Sequence, residues 1–432
     1  MILPERIRDI ADKEPGTKVS LKGWVANVRS SGSIVFVQFR DGSGLLQAVI
    51  AKNAVTPAEF ETARQLTVES SIKIQGTTAP EPRAPGGLEL QVAGLELVHK
   101  AAEYPIGKKE HGPDFLLDNR HLWLRAPRQQ AILRIRDEIV WAMRSYLRSQ
   151  GFVLTDSPVL TPNAAEGTTT LFKTDYFGSN AYLAQTGQLY IEATAAALGR
   201  VYDFGPTFRA EKSKTRRHLI EFWMLDAEAA FMEFSENLEV QEGLVVAVVQ
   251  SVLKNCRPEL EILERDATKL EKIIAPFPRL TYTEALKILA KNGSDVKWGN
   301  DLGADDETIL SNLYEQPVFV TNYPTEAKAF YMKPDPNDPK VVLNNDLLAP
   351  EGVGEIIGGS ERIDDYDLLK KRILDHKLPL ADFEWYLDLR RYGSFPHSGF
   401  GIGLERTVRW ITGIQHIREA IPFPRLLNRI RP

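Results

Sequence analysis

Along residues 19–98 apolar and polar positions alternate in short runs, the two-residue period of half-buried strands. Val19 to Val28 is one such run, and IVFVQF at 34–39 is the next. Turn residues from Arg40 to Gly44 separate it from LLQAVIA at 45–51. PAEFETARQL at 57–66 carries helical spacing, and SIKIQGTT and LELQVAGLELV then resume the strand period. Three strands, a helix and two strands is the order of a five-stranded OB barrel, a fold that stacks the bases of single-stranded nucleic acid on exposed aromatics. Residues 103–126 are polar and mixed, which predicts a hinge and bounds the barrel domain at 1–102.

At residue 127 the period changes. Ile132, Ile135, Ile139, Met143 and Leu147 recur at helical steps and lead into a strand bounded by Pro158 and Pro162. A second long helix is expected at about 236–254. Residues 255–315 alternate charged helical stretches with breaks such as KNGSD, the texture of an insertion. Strands return at 317–324 and 341–345, followed by EIIGGSER, a helix near 364–376 and a strand–helix pair at 399–414. Helices do not separate these strands one by one, so an antiparallel sheet is expected rather than a doubly wound one. The fold class is thus α+β, with a second domain at 127–432 built as an antiparallel sheet flanked by helices.

Composition narrows the function classes. With 432 residues the chain is long enough for two or three domains, and 43% hydrophobic and 26% charged residues are globular values. No apolar run reaches bilayer length, and the N-terminal MILPERIRDIADKEPG lacks a signal-peptide core. The single cysteine, Cys256, excludes an internal disulfide and a cysteine-based zinc site, and fits a cytoplasmic protein. A net charge of −5 argues against a generally basic nucleic-acid binder but leaves room for a local basic patch, such as PRLLNRIRP at the C-terminal end.

The densest chemistry lies in FRAEKSKTRRHLIEF, 208–222, where Arg209, Glu211, Arg217 and His218 occupy a polar loop between apolar runs. Fixed positive charge between two strands can hold a polyphosphate without a glycine-rich cradle. GFGIGLER at 399–406 adds Arg406; its glycines lack both the spacing and the βαβ context of a dinucleotide fingerprint. They suit a strand that approaches a ligand closely.

These two segments, with the long helix ending at Pro158, resemble motifs 2, 3 and 1 of the class II aminoacyl-tRNA synthetases of the aspartate/asparagine/lysine subgroup. The resemblance covers essentially the whole chain. It implies an OB-fold anticodon-binding domain, a six- or seven-stranded antiparallel catalytic core and a homodimer formed through motif 1. It also implies ATP as substrate, with Arg209 on the α-phosphate, and Arg217, His218 and Arg406 on the β- and γ-phosphates. Phe222 would stack under adenine, with Glu211 in the same site. Glu355 and Asp346 would hold Mg²⁺, although here they are spaced more widely than in the family, with Pro350 and Gly352 between them.

For the amino acid, the resemblance implies Glu166 in a mobile loop, Gln188 and Asp226 near the substrate ammonium, and Arg362 on the side-chain oxygen. Aspartyl enzymes have a lysine in the segment QLYKQ, where this chain has Ile191 followed by Glu192. Losing a cation and gaining an acid repels a substrate carboxylate, whereas an acid accepts a hydrogen bond from an amide. L-Asparagine and tRNA(Asn) are therefore the expected substrates. In the barrel, Phe36 and Gln47 match the residues that stack on and read the central anticodon base, and Arg29 and Arg40 are candidates for phosphate contacts. Asn27 and Val28 replace part of the family's arginine cluster, and the alternation around Phe36 leaves its facing open. Rival readings are an aspartyl enzyme of relaxed tRNA specificity, a tRNA-independent asparagine synthetase and a non-catalytic RNA-binding relative.

Overall fold

The computed structural model describes residues 5–10, 13–107, 109–162, 171–212 and 216–432. Its contacts divide the chain into Met1–Gly112 and Pro113–Pro432. The first unit is a closed barrel of β1 (Lys18–Ser31), β2 (Ile34–Arg40), β3 (Leu45–Ala51), β4 (Ser71–Pro80) and β5 (Leu88–His99), in the order β1-β2-β3-β5-β4. The helix α1 (Pro57–Arg64) is started by a capping box between Thr56 and Glu59 and buries Phe60 and Ala63. Along β2, Val35, Val37 and Phe39 are fully buried, so Phe36, Gln38 and Arg40 face outward and Phe36 is not barrel core.

The second unit begins earlier than the expected 127. Residues 113–126, assigned above to the hinge, form the short helices Pro113–Asp118 and Arg120–Trp123. Arg120 ties them down. Its guanidinium is buried and donates to the carbonyls of Pro422 (2.8 Å) and Ile421 (2.9 Å) and to Gln129 Oε1 (2.6 Å). A polar composition concealed this, because the partners lie about three hundred residues away.

The helix α2 (Pro127–Ser149) follows, with its apolar stripe buried as the period predicts. Next come β6 (Val153–Leu154), the small sheet of β7 (Leu160–Thr161), β8 (Lys173–Tyr176) and β9 (Ser179–Leu183), and α3 (Gln188–Leu198). The strands β10 (Arg200–Phe208) and β11 (Glu221–Ala230) flank the 209–220 loop, and α4 (Phe234–Asn255) packs against α2. The expected insertion contributes β12 (Arg279–Thr281), α5 (Tyr282–Lys291) and α6 (Ala304–Asn312). Then follow β13 (Val318–Thr321), β14 (Asn344–Ala349), β15 (Gly354–Glu361), α7 (Tyr366–Asp375), α8 (Glu384–Arg391), β16 (His397–Gly403) and α9 (Leu404–Thr412).

The main sheet has eight strands, in the order β12-β13-β14-β15-β16-β11-β10-β6. It is antiparallel from β13 to β10, and parallel at both edges, where β12 joins β13 and β6 joins β10. The expectation of six or seven antiparallel strands thus missed two edge strands of two and three residues, too short to show a period. One face of the sheet packs Leu225, Ala227, Phe400 and Ile402 against α2 and α4. Among the described residues no helix is long and apolar enough to cross a membrane.

Removing the Arg120 guanidinium leaves buried carbonyls without donors. Arg120→Leu is expected to destabilise the second unit by about 3 kcal/mol. Urea unfolding followed by tryptophan fluorescence measures this, and an unchanged midpoint would contradict the anchoring role.

Candidate active site

Strand alternation that buries Leu225 and Ala227 turns Met224, Asp226 and Glu228 to the opposite face. On the neighbouring β16, Gly401 pairs with Asp226 and Gly399 with Glu228. The glycines make room for the acids: a Cβ on Gly401 would lie 2.6 Å from Asp226 Oδ1, and one on Gly399 would lie 2.0 Å from Glu228 Oε2. The alternating glycines of GFGIG therefore mark where carboxylates of the adjacent strand cross above the sheet.

Beside them a cleft opens next to β16. Arg209, Glu211, Arg217, His218 and Phe222 line one side, and Glu355 and Arg406 the other. The structure thus brings together all seven residues expected to meet ATP. The Arg209 guanidinium carbon lies 5.5 Å from the Phe222 ring centre. Arg406 Nη1 donates to the Glu355 carboxylate at 3.0 Å and to its carbonyl at 2.9 Å. Burial and the neighbouring Arg406 push the His218 pKa down, which leaves its ring neutral at pH 7.

Arg217 is held by residues from the segment expected to be an insertion. It donates to the carbonyls of Ala304 (3.0 Å) and Gly352 (2.7 Å) and to the Thr308 hydroxyl, with Glu307 at 3.6 Å. Burial and the nearby Glu355 push Glu307 up to about 7. The insertion therefore reaches the cleft through α6.

Asp346 and Glu355 face one another across Gly358, whose Cβ would lie 3.2 Å from Glu355 Oε1 and 3.8 Å from Asp346 Oδ1. The other Asp346 oxygen accepts from Lys328 Nζ at 3.0 Å. Among the described residues no group of three or more metal-ligating side chains is assembled. Two hard carboxylates fit a Mg²⁺ ion whose remaining ligands come from phosphates and water.

A second pocket adjoins the cleft at Met224. Asp226 Oδ2 accepts from the Thr186 hydroxyl (2.6 Å) and the Gly187 amide (2.9 Å). Asp203 pairs with Asp226 across β10 and β11, and burial together with that neighbour pushes it up to about 7. Arg362 and Glu228 form a buried ion pair nearby, with Nη2 to Oε2 at 2.9 Å and Nε 3.2 Å from both oxygens. Arg362 Nη1 also donates to Ser360 Oγ at 2.6 Å.

Glu192 does not take the place expected of it. Its carboxylate is fully buried and already surrounded by Gln188 Nε2 (3.1 Å), the Tyr386 hydroxyl (2.8 Å), Arg390 Nη2 (2.8 Å) and His397 Nε2 (3.0 Å). Burial alone would raise its pKa, but Arg390 and His397 outweigh it and hold the group ionised. Ile191, the neighbour that carried the comparison with aspartyl enzymes, packs on Ala195 and Val201. Gln188 is committed to Glu192, and Glu166 lies outside the described residues. The acid beside Arg362 is Glu228, which the sequence analysis did not single out. Its signal was present in the two-residue step from Asp226, matched by the step from Gly401 to Gly399.

On the barrel, the Arg29 guanidinium carbon lies 4.6 Å from the centre of the outward-facing Phe36 ring, and Gln47 Nε2 donates to Glu89 at 2.9 Å.

Comparison with known proteins follows the two units. Residues 112–427 match the family model of class II tRNA synthetases (D, K and N), and residues 19–98 match the OB-fold nucleic acid binding domain. An asparagine–tRNA ligase of Pelotomaculum thermopropionicum is 60% identical over 417 residues, 96% of this chain and 97% of that protein. The crystal structure of asparaginyl-tRNA synthetase from Pyrococcus horikoshii complexed with asparaginyl-adenylate superposes with a TM-score of 0.97 at 46% identity, covering all of both chains. An aspartyl-tRNA synthetase from Entamoeba histolytica is more distant, with a TM-score of 0.84 at 28% identity over all of this chain and 93% of that one.

The close passage of Glu228 over β16 leaves no room for a methyl group. Gly399→Ala also brings a Cβ within 2.4 Å of the Ala227 carbonyl, so a lower melting temperature is expected, together with loss of activity. Calorimetry and an activity assay on the same sample check this; a variant as stable and active as the parent would contradict it.

Proposed function

The chain belongs to the class II tRNA synthetases of the D, K and N group, and from that premise we infer that it is an asparagine–tRNA ligase. It joins L-asparagine to ATP, giving asparaginyl-adenylate and pyrophosphate, and transfers the asparaginyl group to the 3′ end of tRNA(Asn). The observation that carries the choice of amino acid is the buried Glu228–Arg362 pair. Among the described residues, the three hydrogen bonds to the Glu228 carboxylate all come from that one guanidinium. A carboxylate has about four acceptor sites, so this buried acid can accept a further donor. An amide supplies both halves of the match: its oxygen accepts from Arg362 and its NH₂ donates to Glu228. A substrate carboxylate would meet Glu228 with like charge, and the one guanidinium beside it, Arg362, is already paired with that acid.

Activation follows from charge and position. Asp226, with Asp203 behind it, receives the substrate ammonium, and the substrate carboxylate is left facing the cleft. Phe222 takes the adenine on its face. Arg209 neutralises charge at the α-phosphate, and Arg217, Arg406 and His218 hold the β- and γ-phosphates. A carboxylate oxygen attacks the α-phosphorus, the bond to the β-phosphate oxygen breaks, and pyrophosphate leaves. Fixed cations in a partly dry cleft stabilise this transition state more than they would in water. Glu355 and Asp346 would hold Mg²⁺, which when bound adds positive charge to the phosphate oxygens. In the second step the terminal 3′-hydroxyl of tRNA attacks the asparaginyl carbonyl and AMP departs. Its proton passes to a phosphate oxygen, so no strongly basic side chain is required.

Two copies are proposed to pair through the motif 1 region. Trp141 on α2 is 68% exposed, and Val153, Leu154, Val159 and Leu160 are exposed just after it, an apolar surface that suits a second copy. The single buried cysteine fits a cytoplasmic setting.

Pyrophosphate exchange with asparagine and aspartate side by side tests the activity. Exchange driven by asparagine, at least about a hundredfold more efficiently than by aspartate, is expected from a pocket that leaves an acid unmatched by the wrong substrate. Equal or better exchange with aspartate would overturn the assignment.

A further inference from the structure

The outer face of the barrel is a small grid set by strand register. Asn27, Gln38, Gln47 and Glu89 lie in one cross-strand row over β1, β2, β3 and β5. On one side of it Arg29 pairs with Phe36, the row expected to stack on an anticodon base. On the other side Trp24 pairs with Arg40, and Arg40 pairs with Leu45.

Trp24 is the one aromatic among the first four outward positions of β1, after Lys18, Ser20 and Lys22. The barrel does not need it there, since the inward residues Val19, Leu21 and Val25 fill the core. The ring is nonetheless held firmly. The Arg40 guanidinium carbon lies 4.9 Å from its centre, and Arg40 is itself paired with Glu69. Both of those side chains are largely buried, and the Glu69 amide donates to the Val25 carbonyl on β1 at 2.7 Å. The ion pair thus supports the ring through β1 itself, while Trp24 remains 40% exposed.

We propose that Trp24, backed by Arg40 and Glu69, is a second stacking platform for an unpaired base of the bound tRNA. It takes a nucleotide of the anticodon loop other than the one on Phe36. Four residues along β2 separate the two rows, about 13 Å at strand rise, so the two bases are not stacked neighbours. An aromatic ring with a guanidinium behind it suits any base face, and the polar row between the platforms offers donors and acceptors to base edges. This inference rests on the reading of the barrel as the tRNA-binding domain.

The test measures binding of full-length protein to tRNA(Asn) and to transcripts carrying an abasic site at each anticodon-loop position in turn. Trp24→Ala, Trp24→Leu, Trp24→Phe and Phe36→Ala are compared. Loss of one stacked base corresponds to roughly 5- to 100-fold in affinity, so Trp24→Ala and Trp24→Leu are expected to weaken binding by about that much and Trp24→Phe far less. One abasic position should then cost nothing further in Trp24→Leu while keeping its full cost in Phe36→Ala. Should Trp24→Ala lower the thermal stability, the contrast between Leu and Phe at the same position decides. Wild-type affinity in Trp24→Leu, or full sensitivity to every abasic position, would overturn the platform. If Phe36→Ala loses affinity and Trp24→Leu does not, only the inference fails; if neither does, the reading of the barrel fails with it.

Discussion

The ion pair between Glu228 and Arg362 sets the terms for the rest of the catalytic unit. Both side chains are withdrawn from water, at several kcal/mol per charge, and removing either partner leaves the other uncompensated, at about 3–5 kcal/mol. Such a pair persists only where the surroundings are built for it. Gly399 gives Glu228 its place above the sheet, Ser360 orients Arg362, and Glu192 keeps its own partners, Arg390, His397 and Tyr386. The pair supplies adjacent acceptor and donor groups while keeping its own charge balanced. That combination is complementary to an amide and opposed to a carboxylate.

The arginine-lined cleft follows a different economy. Its cations are arginines, which stay charged whatever their burial, and its one histidine is held neutral. Arg217 is anchored from outside the motif by α6 and by the Gly352 carbonyl, so a segment that looked like an appendage helps form the cleft. The Glu355 carboxylate, held ionised by Arg406 against its burial, offsets part of the positive charge, while burial pushes Glu307 up to about 7 and leaves it only partly ionised.

Much of this was legible in the sequence where a period or a motif spans many residues. The barrel, α2 and the set of side chains that meet in the arginine-lined cleft were all visible in this way. What was missed depended on facing. Glu192 and Ile191 stand next to one another on a helix, and the fold turns one into a buried polar network and the other into an apolar cluster. Glu228 lies in an apolar run beyond the 208–222 segment, and only register with Gly399 shows which acid crosses above the sheet. Residues 113–126 looked like a linker because Arg120 finds its partners near the C-terminal end. Phe36 was ambiguous until closure of the barrel buried Val35 and Val37.

The central claim is that Glu228, and not Glu192, reads the side-chain amide. Glu228→Gln keeps the shape of the acid but replaces its acceptor by a group that can present a donor. Pyrophosphate exchange by this variant, with asparagine and aspartate measured on one preparation, tests the claim most directly. Efficiency with asparagine is expected to fall at least about tenfold, and the preference over aspartate to shrink with it. An unchanged ratio of the two, in a variant that folds and binds ATP, would contradict the assignment.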